Sequence, residues 1–307
     1  MTGPAIPVVS YRDLLSTTTA RPTAIATLGQ ALEEIGFFIL EPHPISPEVV
    51  RRAYQVAGEF FALPESNKAQ YSLPQHQGGF SSFGSEQAKG YTLPDLKEFW
   101  HVNHRHLLNS ASPWPQEVPS FRPVMTRLYQ QLMACANVLL TACAEYLGQP
   151  SDWLVAMATG GDTVLRLVHY PAVGANPVGS LRAAPHEDIN LITLLCEATA
   201  PGLEVLVQGQ WLPVQTHPGQ IVIDTGDMLQ SLTNGLFKST THRVVNPRSG
   251  NQSRLSMPFF VHPRPEVDLT PLESLVERTG GLSQFPPITA QAYLAQRLAE
   301  IQVGPAA

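Results

Sequence analysis

Residues 184–195, Ala-Pro-His-Glu-Asp-Ile-Asn-Leu-Ile-Thr-Leu-Leu, place a histidine and an aspartate at the start of a run rich in β-branched and apolar residues. Such a run favours a β-strand. Side chains two positions apart on a strand point to the same face, so His186 and Asp188 can converge on one metal ion. The sequence therefore predicts two ligands of a metal site on this strand.

A second histidine completes the predicted ligand set. His242 lies in another strand-like segment, Ser239-Thr-Thr-His-Arg-Val-Val-Asn246. Two imidazoles and one carboxylate leave three coordination positions open, which suits an Fe(II) ion that must hold a substrate and O2 together. Because His-x-Asp also arises by chance, two unrelated surface side chains are the alternative for the tripeptide alone, and the strand context favours the metal site.

A possible carboxylate clamp follows His242 in the chain. Arg254 and Ser256 are two apart in the segment Arg254-Leu-Ser-Met-Pro-Phe-Phe260. On a strand the guanidinium and the hydroxyl would share a face, and the guanidinium can hold a carboxylate through two hydrogen bonds. The alternative is an ordinary surface arginine.

These segments, in this order, resemble the iron and 2-oxoglutarate dependent dioxygenases of the isopenicillin N synthase-like superfamily. Glu34-Ile-Gly-Phe-Phe-Ile-Leu40, Lys97-Glu-Phe99 and Gly219-Gln-Ile-Val-Ile-Asp-Thr-Gly-Asp227 carry the resemblance further, over residues 5 to about 265. It implies a mainly β fold with flanking helices, in which a double-stranded β-helix, or jelly roll, forms the core and the N-terminal region is helical. Short strands at regular intervals agree with such a core.

The resemblance also implies a reaction. His186, Asp188 and His242 would bind Fe(II), and Arg254, Ser256 and Tyr170 would bind 2-oxoglutarate. Its oxidative decarboxylation to succinate and CO2 would accompany the hydroxylation, desaturation or cyclisation of a small organic metabolite by O2, with ascorbate as a candidate reductant. One departure concerns the cosubstrate contacts, since a common plant version has Asn two residues before the tyrosine and this chain has Val168.

Two other functions stay open at this point. An oxidase like isopenicillin N synthase itself would keep the iron ligands but use no 2-oxoglutarate, because its clamp binds the carboxylate of the substrate. A catalytically silent jelly-roll binding module is the second alternative, which the intact ligand set disfavours.

Arg166 is the one hint of the substrate's charge. It shares strand parity with Tyr170, so we expect it at the iron cavity or its rim. A cavity arginine is costly to bury without an anion, which favours an acidic substrate. The alternative is an internal ion pair with an acid such as Asp162 or Glu204.

The family pattern places the segment around residue 100 at the mouth of the active site. Trp100 and His101 are therefore candidate substrate contacts, as is Phe260. Neighbouring prolines or polar loops predict solvated side chains for four other histidines, which are His43, His76, His217 and His262.

Periodicity predicts the main elements. Helical spacing covers 23–35, 47–61, 121–147 and 289–301, and strand-like runs cover 37–40, 164–170, 203–207, 211–214 and 220–225. We divide the chain into an N-terminal region (1–115) with a lid loop near 75–90, a long scaffold helix and connection (116–159), the jelly-roll catalytic core (160–265) and a C-terminal helical segment (266–307), which together form one compact unit.

Composition excludes several classes of function. The 307 residues are 43% hydrophobic, enough for a sizeable core, and the net charge of −6 argues against nucleic acid as a partner. Three scattered cysteines indicate neither a disulfide framework nor a zinc site. No apolar run approaches the roughly 18 residues of a membrane span, and no signal segment precedes Ile6. We expect a cytoplasmic protein; the sequence does not predict its oligomeric state.

Overall fold

The computed structural model describes residues 5–73, 78–109, 112–172, 179–247 and 252–301. Thirteen strands and ten helices lie within these ranges. The strands are β1 (Val8–Val9), β2 (Phe37–Leu40), β3 (Gly79–Ser81), β4 (Glu98–Asn103), β5 (Val164–Tyr170), β6 (Ala183–His186), β7 (Ile192–Cys196), β8 (Leu203–Val207), β9 (Gln210–Pro213), β10 (Ile221–Thr225), β11 (His242–Val244), β12 (Arg254–Ser256) and β13 (Pro258–Val261). The helices are α1 (Tyr11–Leu14), α2 (Ala20–Glu34), α3 (Pro47–Phe61), α4 (Glu65–Ala69), α5 (His104–Leu108), α6 (Phe121–Tyr146), α7 (Trp153–Ala158), α8 (Asp227–Leu232), α9 (Glu273–Arg278) and α10 (Ala290–Glu300).

The strands form two sheets that pack face to face. The major sheet runs β1-β2-β10-β7-β13-β5-β4-β3, with β12 paired to β5, and the minor sheet runs β6-β11-β8-β9. One buried apolar cluster joins them: it contains Phe37 and Val168 from the major sheet and Val205 and Val244 from the minor sheet. This arrangement confirms the predicted jelly-roll core with flanking helices.

The N-terminal region contributes strands as well as helices. β2 pairs antiparallel with β10, and β4 pairs antiparallel with β5. The predicted lid segment 75–90 includes β3, which pairs with β4, while residues 74–77 lie outside the described ranges. Strands of the N-terminal region therefore form part of the major sheet, which is not limited to residues 160–265.

Helices cover the outer face of the major sheet. The long helix α6 buries one stripe against α2, α3 and the strands β7 and β13. The stripe is the one that the sequence predicts: Leu128, Leu132, Cys135, Leu139 and Ala142. The predicted helices 23–35, 47–61 and 289–301 correspond to α2, α3 and α10 within a few residues. Among the described residues, no helix combines the length and the apolar character that crossing a bilayer would require.

Close packing of α2 on α6 depends on a glycine. A Cβ atom on Gly29 would lie 2.2 Å from the ring of Tyr146, whose hydroxyl donates to Glu33 at 2.9 Å. Gly58 on α3 is different, since the nearest atom to its Cβ position is Leu255 Cδ1 at 3.8 Å.

We expect Gly29→Ala to lower the free energy of unfolding by about 2 kcal/mol, because the clash exceeds the gain in helix propensity. Gly58→Ala is the matched control and should leave stability unchanged or raise it by up to about 1 kcal/mol. Urea unfolding of both variants measures the difference. Equal stabilisation by the two alanines would contradict the close approach of α2 to α6.

Candidate active site

The three predicted metal ligands meet at one end of the jelly roll. His186 ends β6 and His242 begins β11, and these two residues are register partners whose ring centroids are 4.4 Å apart. Asp188 lies close by, with its Oδ1 3.6 Å from His242 Nε2. Possible ligand atoms of the three side chains all lie within 4.8 Å of one another, the one such cluster among the described residues.

The local structure around Asp188 differs from the sequence prediction. β6 ends at His186, so Asp188 lies in the connection to β7 and not on a strand face shared with His186. Two interactions hold it instead: Thr193 donates its hydroxyl hydrogen to Asp188 Oδ2, and the backbone N–H of Asp227 donates to the Asp188 carbonyl at 2.7 Å. Asp188 therefore approaches His186 because contacts with β7 and α8 fix the segment that follows β6.

The side chains fit a divalent metal ion. Nδ1 of His186 lies 2.7 Å from the Ala184 carbonyl, and Nδ1 of His242 lies 3.2 Å from the Thr240 carbonyl. Each Nδ1 therefore carries a proton that it donates to a carbonyl, which leaves Nε2 as the electron-pair donor. Burial, and then the neighbouring His242, lower the pKa of His186 to about 4, so its ring is neutral at physiological pH. Two neutral imidazoles and a carboxylate form the donor set of non-haem Fe(II) sites.

A second buried carboxyl supports the ligand carboxylate. Asp224 on β10 is 4% exposed and is the register partner of Thr193. Burial, and then the charge of Asp188, raise the pKa of Asp224 well above its ordinary value. The raised pKa favours the protonated form of Asp224 beside the carboxylate of Asp188. It stands in the quoted segment 219–227, but nothing in the sequence separates this role from that of a surface aspartate.

The predicted carboxylate clamp lies inside the barrel. Arg254 and Ser256 are both buried on β12, and Arg254 is the register partner of Tyr170 on β5. The Arg254 guanidinium lies 5.1 Å from the centre of the Tyr170 ring, and its Nε donates to the Ala200 carbonyl at 2.9 Å. Nη1 of Arg254 is buried and has no hydrogen-bond partner among the described residues. The structure thus brings the three predicted residues together around an unsatisfied cation.

A cavity of about 940 Å³ opens beside the metal-ligand cluster. His186 and Asp188 line it, together with side chains from β4, β5, the end of β13, the loop before β4 and helix α10. The lining includes Glu86, Lys97, His101, Arg166, Phe260, His262 and Arg297.

Successive side chains of β4 point to opposite faces of the sheet. His101 lines the cavity, whereas Trp100 is fully buried on the opposite face, where its ring contacts Phe60 and Phe121. Adjacent residues on a strand cannot both face one cavity. Of the two candidate substrate contacts on β4, only His101 remains a candidate. Trp100 belongs to the core between the major sheet and the helices.

Arg166 lines the cavity as expected and has protein partners. It donates from Nε to His101 Nε2 at 2.6 Å and from Nη1 and Nη2 to Glu86 at 3.0 and 3.1 Å. Lys97 lies 3.0 Å from Glu86 and 2.8 Å from Asp95. Burial by itself would raise the pKa of Glu86, but the charges of Arg166 and Lys97 lower it well below its ordinary value. Two cations and two anions thus form a neutral cluster in the cavity wall.

The acids that the sequence suggested for Arg166 have other partners. Asp162 accepts from Arg105 at 3.0 Å, and Glu204 accepts from Arg243 at 2.6 Å on the minor sheet. The predicted internal ion pair exists, but with Glu86. A pairing between residues 80 positions apart, one of them in an irregular loop, leaves no periodic signal in the sequence.

The prediction of a solvated His262 is wrong. His262 follows β13 and lines the cavity two residues after Phe260, with a buried Nδ1 that has no hydrogen-bond partner among the described residues. Burial lowers the pKa of His262 to about 4, so the ring is neutral. His217 is exposed as expected, His43 is half-buried, and His76 lies outside the described residues.

Helix α10 closes one side of the cavity. Arg297 lies 3.3 Å from Asp227 and 3.9 Å from Glu187, and Tyr293 donates to Asp227 at 3.0 Å. Glu187 also accepts from Thr241. Glu187 therefore faces α10 and lies outside the metal-ligand cluster, although it stands between two members of that cluster in the chain.

A jelly roll that carries two histidines and one aspartate at its mouth, with a buried arginine inside, defines the class of non-haem iron oxygenases. Comparisons with known proteins identify the family. Residues 161–263 match the 2OG-Fe(II) oxygenase superfamily, and residues 6–123 match the N-terminal family described for the non-haem dioxygenase in morphine synthesis.

Three relatives illustrate the match. A 2-oxoglutarate-Fe(II) type oxidoreductase of Aspergillus fumigatus is 30% identical over 283 residues, which cover 85% of this chain and 82% of that protein. A 2OG-Fe(II) oxygenase family protein from Caulobacter crescentus has a TM-score of 0.84 and 37% identity, and the alignment covers 96% of this chain and 99% of that one. A full-length Neurospora crassa protein, solved in complex with alpha-KG (2-oxoglutarate) and thymine, has a TM-score of 0.85 and 26% identity over 96% of both chains.

The chain belongs to the 2OG-Fe(II) oxygenase superfamily. It is an Fe(II) and 2-oxoglutarate dependent oxygenase, an oxidoreductase that acts on a small molecule. The family resemblance drawn from the sequence is confirmed, as are iron and 2-oxoglutarate as its cofactor and cosubstrate.

We expect alanine at His186, Asp188 or His242 to abolish Fe(II) binding, because each removes one of three donors. Thr193→Val should weaken Fe(II) binding by about 10- to 100-fold, since it removes the hydrogen bond that orients Asp188. Anaerobic calorimetric titration with Fe(II) measures these losses.

Glu187→Ala is the control for the metal variants. It lies between two proposed ligands, yet should keep the affinity for Fe(II) close to that of the wild type. Iron binding that needs Glu187 and tolerates Asp188→Ala would show that the ligand assignment is wrong.

Proposed function

We propose that the protein hydroxylates a small organic metabolite at an iron held by His186, Asp188 and His242. The observation that carries the proposal is the cluster of three ligand atoms beside a deep cavity, with an unsatisfied arginine inside the same barrel. Bound iron, with 2-oxoglutarate and O2, supplies the oxidant for a C–H bond while 2-oxoglutarate becomes succinate and CO2. Desaturation or cyclisation are other outcomes of the same chemistry.

Arg254, Ser256 and Tyr170 position the cosubstrate. The guanidinium of Arg254 binds the distal carboxylate, because a buried cation with a free N–H is stabilised most by a carboxylate that accepts from it. Ser256 and Tyr170 donate their hydroxyl hydrogens to the same group. With the distal carboxylate held there, the keto acid end would be the part of 2-oxoglutarate that binds the metal.

The cavity wall positions the substrate and excludes water. Phe260 provides apolar contact, and the neutral ring of His262 provides a buried nitrogen that a substrate group can satisfy. A cavity of about 940 Å³ has the size of small-molecule sites. The thymine bound to the Neurospora crassa relative supports a substrate of small size. The net charge of −6 argues against nucleic acid, and the three free, buried cysteines suit a cytoplasmic enzyme.

Arg166 orients the substrate without requiring it to be acidic. Three of its five N–H groups are engaged by His101 and Glu86, which leaves two for a substrate oxygen. Because Glu86 already balances its charge, a carbonyl or hydroxyl oxygen is sufficient as the acceptor. His101 contributes by fixing the guanidinium plane.

The 2-oxoglutarate requirement separates this proposal from an isopenicillin N synthase-like oxidase. With Fe(II) and O2, the wild type should consume 2-oxoglutarate and release one succinate for each O2. Oxygen uptake with a turned-over substrate but without 2-oxoglutarate would favour the oxidase. A protein that binds metabolites yet consumes no O2 would be a binding module.

Arg254→Lys keeps the positive charge but cannot form the bidentate hydrogen bonds of a guanidinium group with a carboxylate. The KM for 2-oxoglutarate should rise by one to two orders of magnitude, equivalent to about 1.5 to 3 kcal/mol for a charge-assisted contact. Fe(II) affinity should stay the same, because Arg254 does not touch the metal ligands. An unchanged KM would remove Arg254 from the cosubstrate site.

Arg166→Gln tests the substrate role once a metabolite-library screen has identified a substrate. We expect KM for that substrate to rise at least tenfold, while 2-oxoglutarate decarboxylation without substrate continues, because the iron and cosubstrate sites remain intact. Arg243→Gln is the control, since Arg243 also pairs with a carboxylate but lies away from the cavity. Equal effects of the two variants on KM would exclude the role proposed for Arg166.

A further inference from the structure

A second arginine is buried in the barrel beside the proposed cosubstrate clamp. Arg182 immediately precedes β6 and is 2% exposed, as is Arg254. The guanidinium groups of Arg182 and Arg254 lie 5.9 and 5.1 Å from the centre of the same ring, that of Tyr170. Two positive charges therefore share one enclosed space.

Neither arginine has an acidic partner among the described residues. Arg182 donates from Nη2 to the carbonyl of Gln252, and Arg254 donates from Nε to the carbonyl of Ala200. Nε of Arg182 and Nη1 of Arg254 are buried and lack hydrogen-bond partners within the described part of the chain. By comparison, Arg243 on the minor sheet is paired with Glu204 at 2.6 Å.

This arrangement is unfavourable unless an anion binds there. A buried cation whose only partner is a backbone carbonyl is poorly compensated for its lost hydration, and a second cation nearby adds repulsion. Burial, and then the charge of Arg254, lower the pKa of Arg182, which reports both costs. A carboxylate has two oxygens and can accept hydrogen bonds from two guanidinium groups at once.

We propose that Arg182 is a second cosubstrate-binding arginine, which shares the distal carboxylate of 2-oxoglutarate with Arg254. The inference rests on the proposed function and adds a residue that the Arg-x-Ser pair does not contain. Arg182 approaches from the minor-sheet side and Arg254 from the major sheet, so the carboxylate bridges the two sheets. Binding of the cosubstrate then neutralises charge that the ligand-free protein leaves unbalanced.

The test compares two keto acids on the metal-loaded protein. 2-Oxoglutarate carries the distal carboxylate, and 2-oxopentanoate has a methyl group in its place. Calorimetric titration under anaerobic conditions with Fe(II) gives Kd for both. For Arg182→Gln we expect Kd for 2-oxoglutarate to rise about 10- to 100-fold, as for loss of one charge-assisted contact, and Kd for 2-oxopentanoate to stay unchanged. The Kd of Arg182→Lys for 2-oxoglutarate should lie between the values of the wild type and Arg182→Gln. The control Arg243→Gln should have the Kd of the wild type for both keto acids.

Thermal unfolding without ligand separates binding from structure. Because Arg182 is a buried cation without an acidic partner among the described residues, Arg182→Gln should melt at the same temperature as the ligand-free wild type or higher. The protection that saturating 2-oxoglutarate gives should be smaller in the variant. If the glutamine variant does not fold, the ratio of the two Kd values in Arg182→Lys decides the question.

Two results would overturn the inference. One is an unchanged Kd for 2-oxoglutarate in the folded Arg182 variants; the other is an equal loss of affinity for both keto acids, which would assign Arg182 a structural role. Failure of the proposed function is distinguishable, because there the wild type itself would not bind 2-oxoglutarate. That outcome would also withdraw the role proposed for Arg182.

Discussion

Buried charge without a protein partner is the constraint on which this site depends. At the mouth of the barrel, Asp188 is 7% exposed, and no lysine or arginine of the described chain pairs with it. Deeper in the barrel, Arg254 and Arg182 are buried without any acid from the described residues. Isolated buried charges are costly, so Asp188 needs a bound cation, and Arg254 and Arg182 need a bound anion. A metal ion at the first place and the carboxylate of a cosubstrate at the second would satisfy both requirements.

The jelly roll meets this constraint through strand alternation. On β4 and β5, Trp100 and Leu167 pack in the core towards the helices, whereas His101 and Arg166, of the opposite parity, line the cavity. His101 and Arg166 are register partners on these two strands and hydrogen-bond to each other directly. Glu86 and Asp95 then balance the charges of Arg166 and Lys97 within the wall. The charges around Arg166 therefore sum to zero. Among the described residues, those of Asp188 at the metal site and of Arg254 and Arg182 at the cosubstrate site have no opposite charge paired with them.

Much of the fold and the ligand set could be predicted because it is encoded locally. Strand periodicity located β5, β8 and β10, and residue types located the three candidate metal ligands. The strand argument for Asp188 was wrong in detail, since its position depends on Thr193 and on the backbone of Asp227, which only the folded chain brings together. The sequence could have excluded Trp100 from the cavity, because the parity rule forbids its facing the same way as His101.

The remaining errors come from contacts between distant segments. Proline and polar neighbours suggested a solvated His262, but β13 ends at the cavity and buries its Nδ1. Glu86 carried no signal, because it lies in an irregular loop and reaches Arg166 only after β4 pairs with β5. Arg182 was missed for a similar reason: its burial is decided by the minor sheet closing over Tyr170. Pairings of this kind depend on tertiary distance and not on periodicity.

An anaerobic crystal structure of the complex with Fe(II) and 2-oxoglutarate would show which side chains bind the metal and the cosubstrate. We expect iron bound by Nε2 of His186, Nε2 of His242 and a carboxylate oxygen of Asp188, with the keto acid end of 2-oxoglutarate on the metal and its distal carboxylate between Arg254 and Arg182. Iron held by Glu187 in place of Asp188, or a cosubstrate carboxylate bound at Arg166 with neither Arg254 nor Arg182 in contact with it, would show that these assignments are wrong.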